Sequence, residues 1–216
     1  MKKLSNHRIC YLRDNSIVEL ISQFQVLDTK QIYYLIASHQ ISGYKIIQRR
    51  MPKLLTKNRV KLIKISKDQP YIYYTETKPK QLEHKIMTNW AYIYTKYNLL
   101  KQYEQIVDFS TKEDYGFLKP DGFITIKNMF TNKYKFIFIE TDLSNNNFDK
   151  IVKYNKLYSE KRYVTKSWHN IASGFPLILI ITHRMKLVKN KIIIDNINNL
   201  EFKVVDLDEV KIIPSK

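Results

Sequence analysis

Apolar residues recur at helical spacing through most of the first 78 residues. Residues 13–25, and a stretch that begins at Ser42, have apolar side chains three or four positions apart, which predicts amphipathic helices. Asp28 with Gln31 three positions later is typical of a capping box and predicts the start of another helix between them. Pro52 lies inside the last apolar pattern, so we expect that helix to kink or to end near this residue.

Two short β-rich runs follow, residues 60–65 and 71–75, with the polar sequence Ser-Lys-Asp-Gln-Pro between them. Their spacing predicts a β-hairpin. Three helices followed by a hairpin are the elements of a winged helix-turn-helix domain, whose recognition helix and adjoining hairpin contact DNA. Six residues on these two elements are predicted to make such contacts: Lys45, Gln48, Arg49, Lys53, Lys61 and Lys64.

The apolar pattern is interrupted at Pro79, and this break predicts two domains, residues 1–78 and 79–216. Beyond the break, periodicity predicts a helix, three strands, a helix, a strand, a helix and a last strand. These elements cover residues 82–103, 105–109, 118–126, 134–140, 148–161, 177–182, 184–189 and 202–205. A helix, a strand meander and a helix that leads to another strand form an αβββαβ core of the α+β or α/β class.

Two carboxylates end one face of the predicted strand that begins at residue 134. Strict alternation places Phe136, Phe138, Glu140 and Asp142 on the same face. Asp121, which opens the preceding strand after a proline, can reach the same strand end. Three carboxylates would form an all-oxygen cluster of the kind that binds a hard divalent cation, so Mg²⁺ or Mn²⁺ is the expected cofactor.

These motifs together resemble a known family. The sequence Pro120-Asp121-Gly122, a strand that ends in Glu140-x-Asp142 and a helix that reads Lys150-x-x-x-Tyr154 resemble the replication-relaxation proteins of mobile bacterial elements. Those proteins join an N-terminal winged helix to a domain similar to the PD-(D/E)XK restriction-endonuclease fold. The resemblance covers nearly the whole chain.

The resemblance implies catalytic roles for Asp121, Glu140, Asp142 and Lys150, with the three acidic residues as metal ligands. In this superfamily a lysine normally stands two residues after the glutamate, and the chain has Asp142 there. Lys150, on the next helix, is the candidate replacement and would stabilise charge on the scissile phosphate.

Charge favours a polyanionic partner. The chain has 37 Lys and Arg residues against 20 Asp and Glu residues, a net charge of +17 and a pI of about 9.7. Residues 1–80 have 16 basic and 5 acidic side chains, whereas the remainder has 21 and 15. A lysine-rich proteome would also raise the total charge, but it does not explain this asymmetry.

Several other classes are disfavoured. Cys10 is the only cysteine, which excludes an intramolecular disulfide and favours a cytoplasmic protein. No apolar run is long enough to span a bilayer, and the polar start lacks the apolar region of a signal peptide. Four glycines form no phosphate-binding loop, and the five histidines show no zinc or relaxase spacing.

Three hypotheses follow from the sequence. The first is a double-stranded-DNA-binding protein of a plasmid, phage or integrative element that acts in replication, relaxation or mobilisation and nicks DNA with a divalent metal. The second is a non-catalytic winged-helix regulator of replication or transcription with a degenerate nuclease-like domain. A ribosomal or RNA-binding protein is the third, although it gives the paired acids no role. Further candidate partners are a second copy of the chain and other replication or mobilisation proteins.

Overall fold

The computed structural model describes residues 5–66, 69–143 and 147–213, apart from the side chains of residues 6 and 7. It is a mixture of helices and two β-sheets. The chain divides into two compact units, residues 1–89 and 90–216. The division falls within a helix, Leu82–Tyr94, while the domain boundary at residue 78 stays a prediction.

The first unit contains three helices and a three-stranded antiparallel sheet of order β1-β3-β2. The strands β2 and β3 confirm the predicted hairpin, although residues 67 and 68 between them lie outside the described part of the chain. The elements are α1 (Asn6–Phe24), β1 (Leu27–Asp28), α2 (Thr29–Ile32, continued as a π-helical turn over Tyr33–Ala37), α3 (Gly43–Thr56), β2 (Lys61–Ile63) and β3 (Ile72–Tyr74).

The predicted capping box at the start of α2 is confirmed. The Asp28 carboxylate accepts the Gln31 backbone N–H at 2.8 Å, and the Gln31 side-chain carbonyl accepts the Asp28 N–H at 3.0 Å. Gln31 also donates to the carbonyl of Ile86 at 2.7 Å. These reciprocal bonds satisfy backbone donors that the first helical turn leaves without a partner.

Of the two outcomes expected at Pro52, an end of α3 is wrong, because the helix continues to Thr56, while a kink stays a prediction. Proline removes one backbone donor, but Met51 and Leu54 on either side of it are fully buried. Burial of an apolar face supplies most of the stability of a protein helix. The Thr56 hydroxyl also donates to the Pro52 carbonyl at 3.0 Å.

The second unit is built around a five-stranded mixed sheet of order β4-β5-β6-β7-β8. Strands β4, β5 and β6 are antiparallel neighbours, whereas β6, β7 and β8 are parallel. The sequence-predicted order of helices and strands is confirmed. The elements from residue 82 onward begin with α4 (Leu82–Tyr94, continued as a π-helical turn over Thr95–Leu99), whose residues 82–89 belong to the first unit. They continue with β4 (Glu104–Ser110), β5 (Gly122–Asn128), β6 (Tyr134–Asp142), α5 (Lys150–Ser159), β7 (Leu177–Thr182), α6 (Met185–Asp195) and β8 (Phe202–Val205), with short 3-10 turns at Arg162–Thr165, Ser167–Ile171 and Glu209–Lys211.

The centre of the sheet is apolar on both faces. Phe136 and Phe138 on one face of β6 are buried in a cluster with Tyr154 of α5, and Ile137 and Ile139 are buried on the other face. Glu140 follows these buried residues on β6.

None of the described helices is both long enough and apolar enough to span a membrane.

Candidate functional site

Glu140 forms the centre of a buried polar cluster near the end of β6. Its side chain is 1% exposed. One carboxylate oxygen accepts the Tyr154 hydroxyl at 2.7 Å, and the other lies 2.8 Å from Lys150 Nζ. Lys150 and Tyr154 are one turn apart on α5, so one face of this helix supplies both partners.

The environment of Glu140 changes its acidity. Burial disfavours the charged carboxylate, and the negative charge of Asp121 adds to this effect. Lys150 and the Tyr154 hydroxyl act in the opposite direction, and the net result raises the pKa of Glu140 to about 8. Burial raises the pKa of Tyr154 as well. Glu140 is therefore mostly protonated at pH 7 and ionises as the pH rises past 8.

Asp121 lies beside this cluster because of the register between β5 and β6, which pairs Gly122 with Ile139. The Asp121 N–H donates to the Ile139 carbonyl at 2.9 Å, and its carboxylate accepts the Thr141 N–H at 2.7 Å. Lys150 Nζ also donates to the carbonyl of Lys119 at 3.0 Å. Asp121, Glu140 and Lys150, three of the four predicted catalytic residues, thus meet at one end of the sheet.

Asp142 has different partners. Its carboxylate accepts hydrogen bonds from two nitrogens of Arg184, the shortest at 2.7 Å. It also accepts a hydrogen bond from the Thr182 hydroxyl at 2.8 Å. Among the described residues, no set of three carboxylate oxygens taken one each from Asp121, Glu140 and Asp142 lies within 4.8 Å of one another. A metal ligand role for Asp142 stays a prediction, and a cation there would compete with Arg184.

Sequence reasoning missed a second group. His183, Asp206 and Asp208 offer ligand atoms within 4.8 Å of one another, the only such trio among the described residues. His183 follows β7 and Asp206 follows β8, and these parallel strands end at the same edge. Asp206 already accepts the Asp208 N–H at 2.8 Å, and Lys211 lies 3.4 Å from Asp208. Only the strand order, which places these distant residues together, could have revealed the group.

The residues predicted to contact DNA on α3 share one exposed face, opposite the fully buried Ile47. We call this set, Lys45, Gln48, Arg49 and Lys53, the α3 face. The helix contains no acidic residue. Arg50 points elsewhere, because it forms an ion pair with Asp14 of α1.

Lys61 and Lys64, the two hairpin lysines, are also exposed. Lys61 Nζ donates to the Glu76 carbonyl at 2.7 Å and lies 5.8 Å from the centre of the Tyr74 ring. Lys64 Nζ lies 5.8 Å from the Tyr71 ring centre. Both side chains thus extend along the aromatic surface of the hairpin with their charged ends near solvent.

Comparisons of the chain with protein-family models, curated proteins and solved structures found no significant match. Two features of the molecule bear on its function. One is the exposed, acid-free α3 face, and the other is the buried cluster of Asp121, Glu140, Lys150 and Tyr154, which we call the Glu140 cluster.

Proposed function

We propose that the protein binds double-stranded DNA through the α3 face and the β2–β3 hairpin, used as a winged helix. The observation that carries this proposal is the alignment of Lys45, Arg49 and Lys53 on an exposed helical face without a neighbouring acid on that helix. Arginine and glutamine side chains can bond to base edges, and lysines neutralise phosphates. The hairpin lysines would contact the adjacent backbone.

The test is an affinity titration of a DNA duplex with the double variant Arg49→Ala/Lys53→Ala. We expect a sharp loss of affinity, and the slope of log affinity against log salt should fall by about 2 if each residue neutralises one phosphate. The matched control is Lys186→Ala/Lys189→Ala, which removes the same charge from exposed positions on α6. Equal affinity in the two double variants would assign duplex binding to another surface.

In the second unit, we propose that the Glu140 cluster engages the phosphodiester backbone together with Mg²⁺ or Mn²⁺. Asp121 and Glu140 fit such a cation, because a divalent charge would relieve their mutual repulsion, which adds to the effect of burial in raising the pKa of Glu140. Mg²⁺ commonly binds one or two carboxylates and keeps several waters. When bound, it would polarise a phosphoryl oxygen and acidify a water molecule.

Lys150 would supply a fixed positive charge beside the two carboxylates, suited to the charge that develops on a phosphate. Lys150 thus has the role that the lysine of the PD-(D/E)XK motif has two residues after the glutamate. We further propose, on the resemblance of these motifs to replication-relaxation proteins, that the protein acts in replication, relaxation or mobilisation of a plasmid, phage or integrative element.

The alternative is a regulator without catalytic activity. It is favoured by the bonding of the Glu140 cluster within the protein, since both oxygens of Glu140 already have partners and Asp142 is bound to Arg184. A metal is not needed to satisfy these groups.

Metal binding and nicking are measured separately to decide between the two. If a divalent cation binds the folded state, Mg²⁺ or Mn²⁺ should raise the melting temperature of the wild type, with a gain of about 2.7 kcal/mol at a concentration of 100 Kd. Glu140→Gln should abolish the shift, because an amide is a poorer ligand for a hard cation. Plasmid nicking is then compared between wild type and Asp121→Ala. Melting that is independent of metal, with no nicking, would decide for the regulator.

A further inference from the structure

Two aromatic side chains are exposed side by side at one end of the five-stranded sheet. Tyr103 precedes β4 and is 60% exposed, and Phe130, in the turn between β5 and β6, is 80% exposed. Their ring centres are 5.9 Å apart, and the ring planes are inclined by 34°. We call this pair the aromatic platform. Together the two rings offer far more apolar surface to solvent than a single exposed residue.

Hydrogen bonds hold the platform in place. The Met129 N–H donates to the Tyr103 carbonyl at 2.7 Å, which ties the β5–β6 turn to the segment before β4. Asn128 accepts the N–H groups of Phe130 and Thr131 at 3.0 and 2.9 Å. Tyr103 has a φ of 66°, a left-handed conformation that is unusual for a bulky side chain. These contacts fix the backbone that carries both rings, which reduces the entropic cost of ordering these segments on binding.

The surroundings of the platform are basic. The two segments that carry it, residues 100–105 and 127–135, contain four lysines and a single acid, Glu104. Glu104 is neutralised locally, since its carboxylate pairs with Lys135 at 2.6 Å and accepts the Lys101 N–H at 2.9 Å. The remaining lysines are Lys101, Lys127 and Lys133. Such a surface is complementary to a ligand that combines flat apolar groups with negative charge.

We propose that the aromatic platform binds single-stranded nucleic acid, with bases stacked on Tyr103 and Phe130 and with Lys101, Lys127 and Lys133 near the flanking phosphates. Aromatic rings within a basic surface are the usual means of binding single strands without sequence preference. Paired bases in a duplex do not offer their faces to such rings. The site lies in the second unit and does not depend on duplex binding by the α3 face.

The test is the fluorescence anisotropy of labelled oligothymidylate titrated with four single variants. Phe130→Ala should weaken binding by about 5- to 150-fold, the range expected for one stacked base. Phe130→Trp should keep the affinity, because it preserves a flat ring, whereas Phe130→Leu should be as weak as Phe130→Ala. The matched control is Ile193→Ala on α6, which removes an apolar side chain that is 82% exposed and should leave the affinity unchanged.

Wild-type affinity in Phe130→Ala would overturn the proposal. Wild-type affinity in Phe130→Leu would also overturn it, because a general apolar contact would then account for binding. If Phe130→Ala lost affinity for anionic lipid vesicles while it kept affinity for oligothymidylate, the platform would be a membrane contact instead.

An oligouridylate titration in parallel determines whether DNA or RNA is preferred. Lys101→Ala/Lys133→Ala provides a second route, since it should lower the salt dependence of single-strand binding and leave the rings intact.

Discussion

The α3 face and the Glu140 cluster use positive charge in opposite ways. On α3, Lys45, Arg49 and Lys53 are exposed and have no acidic residue on their own helix. In the Glu140 cluster, Lys150 is directed onto a buried carboxylate at 2.8 Å. The first arrangement leaves charge available to a partner, whereas the second uses it to offset the burial of another charge.

This difference has an energetic consequence. Charges in water are screened and contribute little to folding, so their removal should change binding and not stability. A buried ion pair is costly to break, because the remaining group keeps its desolvation penalty without its partner. The two regions should therefore respond differently to substitution, salt and pH.

The largest expected effect is the pH dependence that Glu140 gives to stability. Its pKa is about 8 in the folded protein against 4.5 for an ordinary glutamate, so between these values the folded state holds the extra proton. The free energy of unfolding should therefore fall as the pH rises from about 5 to 8, by up to about 4 kcal/mol relative to Glu140→Gln at about 1.4 kcal/mol per pKa unit. Denaturant unfolding of both proteins at several pH values measures the difference. Parallel pH profiles would show that Glu140 ionises normally in the fold.

Loss of the partner lysine should have the next largest effect. At pH 9.5 Glu140 is ionised in the wild type, whereas in Lys150→Met it lacks its positive neighbour and keeps its proton, so we expect a cost of up to about 2 kcal/mol, at about 1.4 kcal/mol for each pH unit above the pKa of about 8. The cost should shrink at pH 5, because Glu140 is then protonated in either protein. Lys153→Met is the matched control, since Lys153 pairs with the exposed Asp149 on the same helix and should change stability by about 0.5 kcal/mol or less. Equal unfolding free energies for the two variants at pH 9.5 would contradict the buried pair.

The sequence predicts local elements better than it predicts contacts between residues that are far apart in the chain. The capping box at Asp28 and the strand at residues 177–182 depend on neighbouring residues, and both are confirmed. The sequence also placed Tyr154 on the same helical face as Lys150, where it contacts Glu140. By contrast, alternation put Asp142 on the face of Glu140 but could not show that Arg184 would bind it, since that partner arrives through the β7–α6 connection.

Helix ends also depend on contacts that the local sequence does not show. The helix expected over residues 82–103 ends at Leu99, because Leu100 already has an extended backbone and the chain turns towards β4. In α3, the burial of Met51 and Leu54 overrides the local penalty of Pro52. Periodicity identifies an apolar face but does not measure the packing that this face obtains, and packing decides where these helices stop.

The smallest expected effect is on the stability of the α3 variant. Arg49→Ala/Lys53→Ala removes two exposed charges, so the free energy of unfolding should stay within about 0.5 kcal/mol of the wild type. Removal of like charges from a helix without acids relieves repulsion. Alanine also has a helix propensity at least as high as that of arginine or lysine. Both effects oppose a loss of stability. Chemical denaturation at low and moderate salt measures this value on the same protein used for the duplex titration.

Arg50→Ala provides the contrast on the same helix, because it removes the partner of Asp14 and should destabilise the protein. A large loss of stability in the double variant would mean that the α3 face supports the fold, and any loss of duplex affinity could then no longer be assigned to DNA contacts.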